Sequence, residues 1–186
     1  METECNGLLT YDRAVEKVDV KQVAEAHRGR IAPPPTFVAV APTAEKEPVL
    51  WRYTVKRPAA DWLEPGFDDT KWKEGPAVFG MGSPTNGAAR TAWDTDDLWL
   101  RRQVVLAEGE LRNLALKVFN EADVEIYLNG VLAARLPPRN SGYEELDLMS
   151  EAERNLKAGP NLIAVRCHQE KPGHSVDVRL VRQVQR

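Results

Sequence analysis

The stretch DVEIYLNGVLAARL, residues 123 to 136, limits the fold more than any other part of this chain. Val124, Ile126 and Leu128 alternate with Glu125, Tyr127 and Asn129. Successive strand side chains point to opposite faces, so this pattern describes a half-buried strand. Asn129-Gly130 comes next, a pair that accepts the positive φ values of a type I′ turn. A second apolar run completes a hairpin.

The same signature recurs from about Val49 to the C-terminus. LWRYTVK is rich in β-branched and aromatic residues, and DLWLRRQVVL reads as a longer strand. RNLALKVFN places Leu114, Leu116 and Val118 on one face. NLIAVRCHQ and SVDVRLVRQV follow, the latter with Val176, Val178 and Leu180 on one side. Gly159-Pro160 marks the turn before the first of them. No stretch here has the pattern of a long amphipathic helix. Spaced, alternating strands with turn signals predict an all-β fold, an antiparallel β-sandwich or jelly roll, over 49–186.

Two other zones precede it. Residues 1–30 hold one short helix candidate, VKQVAEAHR, with Asp19 as N-cap, Gln22 at the third helical position and Gly29 as its stop. Residues 31–48 read as a Pro-rich extended linker around Pro33, Pro34 and Pro35. That linker is able to lie along a surface, since Phe37 and Val40 are worth burying. The net charge of −3 argues against a broad phosphate-binding surface, hence against nucleic acid. No apolar run is long enough to span a bilayer. METECNGLLTYDR has no basic, apolar signal-peptide pattern. Two cysteines are too few for a disulfide framework and leave the compartment undecided.

Across the third zone the succession WRYT, DWLEPGFDDTKWKEGPAVFG, DLWLRR, VEIYLNG, LKAGPNLIAV and VDVRL resembles the galactose-binding-like jelly rolls attached to glycoside hydrolases. TECNGLLTYDR is similar to the segment that closes the catalytic barrel in bacterial members of glycoside hydrolase family 2, enzymes of the β-galactosidase, β-glucuronidase and β-mannosidase kind. The resemblance implies a C-terminal fragment: the barrel's last stretch in 1–30, a linker, and a terminal accessory domain. It implies a non-catalytic module that binds carbohydrate and packs on the barrel of a retaining glycosidase. The alternative is a purely structural or oligomerisation domain without a ligand. No cofactor is implied beyond an optional structural calcium ion, of the sort such folds hold through loop carbonyls and carboxylates. The resemblance fits a periplasmic or secreted parent enzyme.

The residues themselves offer no catalytic set. A retaining glycosidase needs two carboxyl groups about 5 Å apart, and in similar enzymes both stand on barrel strands outside this chain. Asp68 and Asp69 share a turn, and Asp94, Asp96 and Asp97 crowd a loop; such residues usually cap backbone N–H groups or stay solvated. Cys167, His168 and His174 lack zinc spacing, and neighbours on a strand point apart. Cys167 is expected in the core and His168 at a strand end.

Five tryptophans remain to be placed. Trp51, Trp62 and Trp72 read as core or corner packing, and Trp99 should face away from Leu98 and Leu100. Trp93 lies in GMGSPTNGAARTAWDTDD, a connection long enough to be functional. With Asn86, Arg90 and Asp94 it offers a stacking ring, an amide, a guanidinium and a carboxylate, a set that suits a sugar. Arg139 and Tyr143, from PPRNSGYEEL, are able to contribute from a neighbouring loop. The alternative is that Trp93 plugs the end of the sandwich while the charges hydrate the loop.

Overall fold

Strands that are apolar on one side have to cover that side, and two layers do so here. The computed structural model describes residues 35–40, 49–81, 89–139, 142–170 and 174–184. The chain divides into a unit of Met1–Pro35 and a unit of Thr36–Arg186, and the sandwich is the second. The helix expected near residue 20 and most of the expected linker lie outside the described residues.

In chain order the strands are β1 (Thr36–Ala39), β2 (Leu50–Thr54), β3 (Lys73–Pro76), β4 (Phe79–Gly80), β5 (Asp97–Leu106) and β6 (Leu114–Asn120). They continue with β7 (Asp123–Leu128), β8 (Val131–Leu136), β9 (Glu144–Asp147), β10 (Gly159–His168) and β11 (Ser175–Val184). One five-residue helix, α1 (Ser150–Arg154), separates β9 from β10. One sheet has the order β1-β11-β6-β9, with β4 also pairing β11; the other has the order β3-β2-β5-β10-β7-β8. The strand pairs are antiparallel.

The core is the predicted alternation made physical. Leu116 and Val118 of β6 and Val176, Val178 and Leu180 of β11 belong to one buried cluster with Leu98 and Leu100 of β5, Val124, Ile126 and Leu128 of β7, and Val165 and Cys167 of β10. Burying each such aliphatic side chain contributes roughly 1.5–3 kcal/mol. Trp51 joins them, as expected. Burial pushes the Cys167 thiol well above its ordinary range.

The Asn129-Gly130 turn has φ of 48° and 87°, both left-handed as the dipeptide predicts. A register shift between Ile126 and Tyr127 pairs Ile126 with Ala134 and Tyr127 with Leu132. The extra residue, Ala133, takes the Met149 N–H on its carbonyl at 3.0 Å.

Three strands carry no sequence signal. KEGP, FG and EELD have no apolar alternation, and only pairing with a neighbour holds β3, β4 and β9 extended. Within the stretch read as a linker, Thr36–Ala39 pairs with β11, Thr36 opposite Val184. Chain kept extended after the prolines has found a sheet edge there, with Phe37 half-buried.

Candidate functional site

If alternate residues of β5, β7 and β10 fill the core, their neighbours must share the opposite face. Register then fixes who meets whom. Arg166 lies opposite Trp99 on one side and Glu125 on the other; His168 lies opposite Asp97 and Asp123; Ala164 lies opposite Tyr127. Glu125 in turn faces Arg135 on β8. Trp99 does point away from Leu98 and Leu100, as expected, and is 5% exposed.

The connection between β2 and β3 forms a wall over this face, and Arg101 pins it. This arginine is buried. Its Nε donates to Asp69 Oδ2 at 2.8 Å, its guanidinium also donates to the carbonyls of Trp62 and Glu64, and it sits 5.1 Å from the centre of the Phe67 ring. Phe67 meets Trp72 edge to face at 5.8 Å. Asp69 is therefore the partner of a buried cation, where the sequence reading had it solvated or capping. Asp68 behaves as that reading expects: its Oδ1 accepts from the Thr70 N–H and hydroxyl, which holds its carboxyl below the ordinary range.

A groove runs along this face, under the wall at one end and on the sheet alone at the other. One cavity, of about 380 Å³, is lined by Arg57, Trp62, Asp97, Trp99, Tyr127 and Arg166 among others. A second, of about 520 Å³, is lined by Asp123, Glu125, Arg135, Pro137, Arg166 and His168 among others. Glu125 and Arg166 border both. Trp62 meets Tyr127 edge to face at 6.0 Å. The Tyr127 hydroxyl donates to Glu125 Oε2 at 2.9 Å; burial first, then this bond, raises its pKa. Arg135 pairs with Glu125 at 2.7 Å, and His168 Nδ1 lies 3.1 Å from Asp97 Oδ1. Arg166 stands 3.8 Å from each carboxylate. A flat indole beside polar side chains is able to cover an apolar face of a ligand while the polar groups exchange hydrogen bonds with it.

The residues singled out in sequence are scattered. Trp93 is fully buried in the core cluster, so its ring offers no face to a ligand; it plugs the sandwich, the alternative left open above. Arg90 and Asp94 are exposed. Asn86 lies outside the described residues. Arg139 pairs with Glu144 at 2.8 Å. Tyr143 sits on the other sheet, where its hydroxyl donates to Asp177 Oδ2 at 2.7 Å and accepts from Arg179 at 2.8 Å. Among the described residues no hydrogen bond or ion pair joins Arg90, Trp93 or Asp94 to Arg139 or Tyr143. Cys167 is buried and His168 ends its strand, as expected, and the structure adds that His168 lines the groove. Among the described residues no three His, Cys, Asp or Glu side chains gather to hold a metal.

Trp62, Tyr127 and Arg166 escaped the sequence reading as site residues. For Tyr127 and Arg166 the signal was the polar half of an alternating strand, which gains meaning only when strand order is known; Trp62 stands in the β2–β3 connection, where sequence pattern does not show which surface it covers.

No family model matches this sequence, and no curated protein matches it. Solved structures do. A β-glucuronidase from Bacteroides uniformis matches with a TM-score of 0.51 at 14% identity, over 79% of this chain and 18% of that one. A β-glucuronidase from glycoside hydrolase family 2 matches with a TM-score of 0.50 at 14% identity, over 81% of this chain and 18% of that one. At such identity the likeness establishes the fold. The chain spans about a fifth of the length of the first structures it matches (20%, 18% and 20%).

Proposed function

We propose that this chain is a non-catalytic accessory domain of a glycoside hydrolase, binding carbohydrate on its six-stranded sheet and packing on a catalytic barrel supplied by the rest of a longer polypeptide. The observation that carries the binding half is the groove between Trp62, Tyr127 and Arg166. The fold supports the other half, because it recurs as a minor part of glycosidase chains. In this reading the catalytic carboxylates and the barrel belong to the longer protein, a structural calcium ion stays optional for this domain's own loops, and the groove takes over the role first given to the Trp93 loop.

Affinity is expected to be modest, since an open groove desolvates a small polar ligand only partly. Calorimetric titration of the chain with sugars tests the reading. Arg166→Ala, at a half-exposed position, should abolish binding while leaving the unfolding midpoint nearly unchanged. Saturable sugar binding that ignores Arg166 would count against the groove. Hydrolysis of an aryl glycoside by this chain unaided would overturn the accessory role.

A structural interface is favoured by a separate observation. Leu50 on β2 and Val105 on the neighbouring β5 point away from the core and are 56% and 72% exposed. Outward aliphatic side chains on adjacent strands suit contact with another domain.

A further inference from the structure

The groove is larger and more evenly charged than one sugar ring requires. Its cavities of about 380 and 520 Å³ each exceed the roughly 300 Å³ at which ligand sites begin, and they meet at Glu125 and Arg166. Their characters differ. The first sets Trp62, Trp99 and Tyr127 among charged groups, whereas the second sets Asp123, Arg135 and His168 around the aliphatic surface of Val124, Leu136 and Pro137. Across the lining, Arg57, Arg135 and Arg166 balance Asp97, Asp123 and Glu125. Two of the carboxylates already have close partners, Glu125 in Arg135 at 2.7 Å and Asp97 in His168 at 3.1 Å. At the junction Arg166 is 46% exposed, and its 3.8 Å separations are longer than hydrogen bonds, so its N–H donors remain for a ligand hydroxyl.

Resting on the carbohydrate reading above, we propose that the groove takes a neutral oligosaccharide of at least two rings, laid across Arg166. One ring stacks in the aromatic cavity, and the next reaches the Arg135–His168 cavity. A uronate gains nothing there, because the lining carries no net positive charge to meet it.

The test is calorimetry on the full chain with glucose, galactose, mannose and glucuronic acid against cellobiose, lactose and mannobiose. At least one disaccharide should bind about tenfold or more tighter than its monosaccharides. Arg135→Ala, whose side chain is 66% exposed, should remove most of that gain. Equal affinity for one ring and two, a gain indifferent to Arg135, or tighter binding of glucuronic acid than of glucose would each overturn the proposal. In those cases monosaccharide binding that depends on Arg166 would leave the carbohydrate reading standing. Failure of every sugar to bind would overturn both.

Discussion

The side chains of Asn129 and Asn161, thirty-two positions apart, are joined by a hydrogen bond of 2.8 Å from Asn129 Nδ2 to Asn161 Oδ1. Each residue also serves the backbone around it. Asn129 Oδ1 accepts the Leu162 N–H at 2.8 Å. Asn161, which is buried, donates to the carbonyls of Lys157 and Gly159 and accepts the Lys157 N–H. The hairpin tip is thereby tied to the entry of β10, and two of the stretches quoted from the sequence, VEIYLNG and LKAGPNLIAV, become halves of one knot.

Breaking that knot should be costly. Asn161→Ala strands several buried polar groups, each worth about 1–3 kcal/mol, so a loss of about 2–3 kcal/mol is expected in urea unfolding. Asn129→Gly keeps the left-handed turn and removes only the side-chain bonds, for a loss of about 1–2 kcal/mol. The double variant should show a coupling of about 1 kcal/mol, because the two share a bond. Strict additivity would deny the link.

Arg101→Leu should release the groove wall. Asp69 keeps Arg52 at 3.5 Å, but it and two carbonyls lose buried donors, a type of change that costs about 1–3 kcal/mol. Residues 57–72 should then be cut by protease well before the sandwich unfolds. Arg101→Lys should restore little, since a point charge cannot replace the planar fork of donors. A wall as resistant as in the parent chain would show that the packing of Phe67 and Trp72 holds it instead.

Alkaline pH should weaken the fold. Cys167 and Tyr127 are held neutral by burial, and Tyr143 by burial and then by the charge and hydrogen bond of Asp177. All three have folded pKa values above their unfolded ones. Their contribution is therefore complete below the unfolded values, about 8.5 for the thiol and about 10 for the phenols, and fades as pH rises beyond them. The denaturant midpoint should fall from about pH 9 upward. A thiol reagent at pH 8 should reach Cys167 only as fast as the chain opens. Rapid labelling at Cys167 itself, located apart from Cys5 by peptide mapping, would contradict its burial.

Trp93→Ala should cost about 3–5 kcal/mol of stability, as expected for emptying a buried aromatic site. Asp94→Ala, at an exposed position, should change stability by no more than about 0.5 kcal/mol. Asp94→Ala should also leave sugar affinity untouched. Loss of sugar binding in Asp94→Ala would return the site to the loop where the sequence first suggested it.

How far these features could be read beforehand depended on how local their causes are. The hairpin, β5 and β11 were legible because alternation and Asn-Gly act between neighbouring residues. Lys73–Pro76 and Glu144–Asp147 were not, because partner strands alone keep them extended. The candidate site was half legible. Glu125 and Tyr127 were visibly the polar side of their strand, and Trp99 visibly faced away from the core. That Arg166 stands between Glu125 and Trp99 follows from strand order, which no single segment encodes. Trp93 misled because a tryptophan in a Gly- and Asp-rich connection looks the same whether its ring turns outward or inward.

The central claim is that the face walled by Trp62 takes sugar. Its most direct test is the set of tryptophan indole N–H signals in a nuclear magnetic resonance titration with cellobiose, lactose and mannobiose. The Trp62 signal should shift and saturate with at least one of them, alongside the amides of 123–127 and 166–168, while Trp93 stays still. A Trp62 signal unmoved up to the solubility limit of all three sugars, or saturable movement at Trp93 with Trp62 at rest, would contradict it.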